Sequence, residues 1–203
     1  DSLGTASAEW SDLFLADGGQ ILFGNDQDVT LTHVADSGLA LKSIATADNK
    51  PVRLVLQTGE TDMAADDVIG ALDFQAPDEG TGTDAVLVSA SIEAVSEGDF
   101  SSSANATSLV FKTGASEAAA AKLSLTSAGH LLPATDDTHD LGSASFQWRN
   151  IYTGDLHLSN ESKSEGNKVD GTTGNWTIQE GSEDLFILNN KSGKKYKFKL
   201  EEI

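Results

Sequence analysis

Apolar positions come in short alternating runs, broken every few residues by glycine, asparagine, aspartate and serine, a pattern that predicts short β-strands and turns rather than helices. Residues 20–23 follow Gly18 and Gly19, residues 29–34 follow the polar turn 24–28, and residues 38–44 carry Leu39 and Leu41 on one face. A further strand is predicted over 51–57, where Pro51 is acceptable as a first strand residue. Residues 60–67 are acidic and are read as a loop. A strand over 68–76 then sets Ile69, Ala71, Asp73 and Gln75 against Gly70, Leu72 and Phe74, and Pro77 ends it. Val86, Val88, Ala90, Ile92 and Ala94 occupy one face of a long alternating strand, and small residues on both its faces imply a closely packed partner sheet. Residues 108–112, 123–127 and 129–133 continue the series. Residues 117–122, Glu and four Ala followed by Lys, are the one helical candidate and are too short to be stable alone. After residue 160 the runs 175–179, 184–188 and 194–200 read as a three-stranded meander, with Tyr196, Phe198 and Leu200 inward and Lys195, Lys197 and Lys199 outward.

This pattern predicts an all-β chain in four parts. They are an N-terminal hairpin module over 1–60, a sandwich-like middle module over 61–135, a corner segment over 136–160 and a C-terminal meander cap over 161–203. The corner segment occurs twice. Leu3 to Leu15 aligns with Leu141 to Thr153 at a fixed offset of 138 residues, keeping Leu-Gly, Ala-Ser and Trp. The expected unit is a turn made by Gly4 or Gly142, with Trp10 or Trp148 buried over it and an apolar pair, Leu13-Phe14 or Ile151-Tyr152, leading into a strand.

Composition narrows the function classes. Aromatic residues make up only 6% of the chain, which is lean for one compact core, so burial against other chains is expected. The net charge of −19 argues against binding nucleic acid or anionic lipid. It is unevenly spread: residues 1–148 hold 23 acidic and 5 basic side chains, residues 149–203 hold 9 and 8. Clustered carboxylates make a solvated surface, and one suited to salty water, where screening relieves their repulsion. Cysteine is absent, which excludes disulfides and zinc-thiolate sites. No apolar run reaches the roughly 20 residues of a membrane span. The chain opens on Asp1, almost at the first corner, so a processed segment with repeats upstream is expected.

Candidate chemistry is sparse. His33, His130, His139 and His157 invite a metal hypothesis, with Asp136, Asp137 and Asp140 near His139, but no pair has the spacing that fixes two ligands in one chain. They are read as surface or satisfied histidines. The turn 25–28 lacks the glycine and distal glutamate of a calcium loop. Neither a nucleophile elbow nor a phosphate-binding glycine loop is present, and no carboxylate pair can be singled out for glycoside hydrolysis. No catalytic residue, metal or cofactor is expected.

The string Leu141-Gly142-Ser143, then Trp148-Arg149-Asn150-Ile151-Tyr152, then Thr153-Gly154-Asp155-Leu156-His157-Leu158-Ser159-Asn160 resembles tail fibres and related structural proteins of tailed bacteriophages, marine phages in particular. Residues 28–34, 70–77, 123–130 and 193–200 are similar to such fibres as well. The resemblance implies an elongated modular fibre, intertwined as a homotrimer, that is assembled in the bacterial cytoplasm and carried on the virion. It also implies host attachment without catalysis, with a host glycan or protein and other tail or baseplate proteins as partners. Polysaccharide-cleaving tailspike and purely structural shaft or baseplate component are the alternatives. Some relatives of the motif are followed by a self-cleaving chaperone domain, but only 51 residues follow Tyr152 here. Receptor contact is expected at the exposed lysines of the terminal hairpin, Lys194, Lys195, Lys197 and Lys199, ahead of the loops 78–84 and 100–105.

Overall fold

The computed structural model describes Leu3, residues 5–77 and residues 82–202. Twelve strands form three antiparallel sheets, and no α-helix occurs among the described residues. The chain divides into two compact units, residues 1–139 and 140–203.

The first unit begins with the sheet β1 (Gln20–Phe23), β2 (Val29–Val34) and β3 (Gly38–Ser43), in sequence order. Its register lines up Ile21, Leu31 and Leu41 across the strands, with Phe23 and Val29 beside them. The other face carries Gln20, Thr32, Thr30 and Lys42.

The second sheet of this unit is a five-stranded meander of β4 (Val68–Gln75), β5 (Val88–Ser96), β6 (Thr107–Thr113), β7 (Ala120–Leu125) and β8 (Leu131–Pro133). Its register separates two chemistries. One face holds the row Leu72, Ile92, Phe111, Leu123 and Pro133, flanked by Gly70, Ala94, Leu109, Leu125 and Leu131. The opposite face holds Asp73 against Ser91, joined by a 2.7 Å hydrogen bond from Ser91 Oγ to Asp73 Oδ1. It also carries the ion pair of Lys112 Nζ with Glu93 Oε2 at 2.6 Å.

Four expectations are corrected here. The middle module is one sheet and not a sandwich: each strand pairs with the next, so none is left to build a second layer. Residues 117–122 give no helix. Ala119 N donates to Val88 O at 2.8 Å and Ala120 and Ala121 pair with β6, because an edge supplying ready partners outweighs the marginal preference of one helical turn. Residues 51–57 join no sheet; Leu56 instead lies over Gly70, where a Cβ would stand 2.8 Å from Leu56 Cβ, so only glycine admits this close crossing. Val86, expected in the long strand, belongs to a short 3-10 turn, Asp84–Val86. The acidic loop 60–67 is tied to the end of β5: Asp66 N donates to Ser96 O, Ser96 N to Asp67 O, and Asp67 N to the buried Ser96 Oγ.

The second unit is a four-stranded meander of β9 (Leu156–Ser159), β10 (Asn175–Glu180), β11 (Leu185–Asn189) and β12 (Lys195–Lys197). Three of these strands were expected; the fourth, β9, comes from the corner segment. Leu156, Ile178, Ile187 and Tyr196 form an apolar row with Leu158 and Trp176 beside it. His157, Thr177, Gln179, Lys195 and Lys197 lie on the other face together with Phe186 and Leu188.

Each sheet thus has one predominantly apolar face and one mixed face, yet no apolar side chain is buried among the described residues. The chain exposes 16642 Å².

Candidate functional site

The repeated corner is visible in the backbone. Thr5 N donates to Ala8 O at 3.0 Å, and at the equivalent place Ser143 N donates to Phe146 O at 2.8 Å. The side chains agree: Thr5 Oγ1 accepts from Ser7 N, as Ser143 Oγ does from Ser145 N. Gly142 has φ +88°, and a Cβ there would meet Phe146 O at 2.9 Å and the Trp148 ring at 3.3 Å, so the indole does lie against its glycine turn. The expectation of buried indoles is corrected. Trp10 is 64% and Trp148 63% exposed. Leu3, Leu141 and Tyr152 are exposed too, and Gly4 lies outside the described residues. Neither apolar pair enters a strand directly, since β1 begins at Gln20 and β9 at Leu156.

The four lysines lie around the outer strand of the terminal sheet. Lys195 and Lys197 stand on β12 opposite Leu188 and Phe186, Lys194 closes the preceding turn through its carbonyl, and Lys199 follows the strand. Lys197 Nζ is held by Asp184 Oδ2 at 2.8 Å, which neutralises part of the proposed basic face. Of the two loops ranked below them, 78–81 lies outside the described residues and 100–105 is a tight turn closed by Ser101 and Ala104.

The histidines are dispersed. His33 Nδ1 is 3.7 Å from Asp17 Oδ1, and His157 Nδ1 shares a 3.0 Å hydrogen bond with Thr177 Oγ1. No group of three or more His, Asp or Glu that could hold a metal ion occurs among the described residues. No helix of the described residues is long and apolar enough to cross a membrane.

What sequence reasoning missed is the connection between β9 and β10, residues 160–174. Its base extends the ladder: Asn160 N donates to Gly174 O at 3.1 Å, and Gly174 N donates to Asn160 Oδ1 at 2.6 Å. Its tip is built on Asn167, whose Oδ1 accepts from Val169 N and Asp170 N while Nδ2 donates to Asp170 Oδ1 and Thr172 O. Thr172 donates both its N–H and its hydroxyl to Asp170 Oδ1. These donors, the Thr172 hydroxyl first, hold the Asp170 carboxyl below its usual range, so it is ionised at neutral pH. Gly166, buried at φ +66°, lets the two limbs meet.

Between this loop and the sheet lies a cleft of about 550 Å³. Leu158, Trp176 and Asn189, which share a face in the register, form one wall, and Asn167, Asp170 and Thr172 the other. Lys191, also in the lining, donates to Thr173 Oγ1 at 3.2 Å and pairs with Glu161 at 3.7 Å. The length of a polar, glycine-bearing stretch between two strands was the available signal, since long ordered connections often carry function. No family model matches the chain, and no curated protein matches it.

Proposed function

We propose that this chain is the subunit of a non-enzymatic homotrimeric tail fibre of a tailed bacteriophage, carried on the virion, docked to other tail or baseplate proteins and serving attachment to a host cell surface. One observation carries the reading: each sheet has a predominantly apolar face whose side chains stay partly exposed even where Leu56 crosses Gly70, and no apolar side chain is buried among the described residues. Closed association through these faces removes them from water, and a threefold arrangement satisfies all copies with one interface type. The exposed corner indoles are further apolar surface for neighbouring copies to cover. The sequence resemblance supplies the phage setting and the attachment role.

Two measurements test this. Light scattering is expected to give three times the 21.2 kDa chain mass, and a well-folded monomer overturns the assembly. The purified trimer is expected to bind host cells and to compete with virion adsorption; absence of binding to any host of the producing phage overturns the attachment role. Replacing Lys195, Lys197 and Lys199 with Ser is expected to reduce adsorption while leaving the trimer intact if the terminal lysines contact the receptor.

A further inference from the structure

We propose that the cleft under the loop 160–174 is a binding site for a neutral saccharide. The inference rests on the attachment reading for its biological purpose and on the cleft alone for its chemistry. Sugars are recognised by a flat apolar surface beneath the ring carbons and by fixed polar groups at its edge that meet the hydroxyls. Trp176 supplies the surface; tilted against Tyr196 with ring centroids 5.9 Å apart, it is braced from beside the cleft. Its indole N–H, close above Gly174, has no acceptor among the described residues, and no buried polar side-chain atom there lacks a partner, so this donor faces solvent.

Two more groups are fixed yet unspent. The bonds that Asp170 accepts within the loop all fall on Oδ1, leaving Oδ2 as an ionised acceptor for hydroxyls. Asn189 uses Oδ1 on the amides of Lys191 and Ser192, leaving its Nδ2 as a donor on the same face as Trp176. A site that offers donors and a carboxylate in defined places discriminates among hydroxyl patterns, because a mismatched ligand leaves one of them unpaired. Charge selects neutral over acidic sugars: Lys191 is already engaged by Glu161 and Thr173, and Asp170 repels an anion. The loop is held by its own hydrogen bonds, so little conformational freedom is lost on binding.

The test follows Trp176 fluorescence in a protein whose other two tryptophans are removed by Trp10→Phe and Trp148→Phe. The probes are soluble neutral oligosaccharides of hexose, deoxyhexose and N-acetylhexosamine units. At least one is expected to change the emission saturably. Asp170→Asn keeps a carbonyl oxygen for the loop bonds but replaces the free acceptor with a donor, and is expected to weaken that binding at least tenfold. The Lys195, Lys197 and Lys199 triple substitution is expected to leave it unchanged. If no oligosaccharide alters Trp176, or if Asp170→Asn binds equally well, the proposal is overturned; acrylamide shielding of Trp176 in that case identifies a second copy as the occupant. Cell adsorption by the same protein separates the two readings. Adsorption without saccharide binding rejects the cleft alone, saccharide binding without adsorption rejects attachment alone, and loss of both rejects both.

Discussion

Single residues decide whether the loops of this protein hold their shape. At Gly166 a Cβ would stand 2.2 Å from the Gly171 carbonyl oxygen, and the backbone is left-handed, so no rotamer relieves the contact. Gly166→Ala is expected to destabilise the loop by more than ~1 kcal/mol. The amides of Asn167, Gly171 and Thr172 should then exchange hydrogen markedly faster while those of β10 and β11 do not. Glu97 plays a different part. It accepts from Ser108 on β6 and from the Ser127 amide and hydroxyl beyond β7, and these bonds, the Ser108 hydroxyl foremost, lower its pKa from the usual 4.5. A depressed carboxylate stabilises the fold fully above its unfolded value and ceases to do so as pH falls through its lower folded value. Glu97→Gln is therefore expected to lower the melting temperature at pH 6, and the gap from the unmodified protein should close as pH drops well below 4.5. A gap that persists at low pH would show that the side chain acts through shape and not charge.

At the scale of elements, the sheets were largely legible because alternation is a local signal. Eleven runs predicted from spacing overlap strands, among them Gln20–Phe23, Val29–Val34 and Asn175–Glu180. The misses share a cause. Residues 117–122 have a helical composition but lie beside an open strand edge, and residues 51–57 have a strand composition but cross β4 at Gly70 without pairing to it. In both, the partner and not the propensity settled the outcome. The two-faced character of β4 to β8 yields a prediction. Ile92→Asp or Phe111→Asp, in the apolar row, is expected to abolish the trimer mass. Replacing Glu93 and Lys112 together with Gln, on the opposite face, is expected to leave the mass unchanged and alter stability by about 1 kcal/mol or less. Equal effects from both faces would show that the apolar row is not the interface.

For the molecule as a whole, charge and burial oppose one another. In the proposed trimer each chain would bring −19, so association would work against strong like-charge repulsion. Salt reduces this, since the screening length falls from about 30 Å at 0.01 M to about 10 Å at 0.1 M. Raising the ionic strength over that range is expected to shift the mass distribution toward the trimer and to raise the midpoint of thermal dissociation. Dissociation on adding salt would mean that the contacts between copies are ionic.

The sequence by itself determined the all-β class, most strand positions, the repeated corner and the absence of any cysteine chemistry, because each depends on neighbours along the chain or on composition alone. Tertiary structure decided the rest. It placed the middle strands in one sheet and not two, left Trp10 and Trp148 uncovered, and folded residues 160–174 against Trp176 into a cleft. The physical reason is common to all three. Whether a side chain is covered, and by what, depends on groups distant in sequence, and where no apolar side chain is buried among the described residues the local pattern records which face is apolar without saying what covers it.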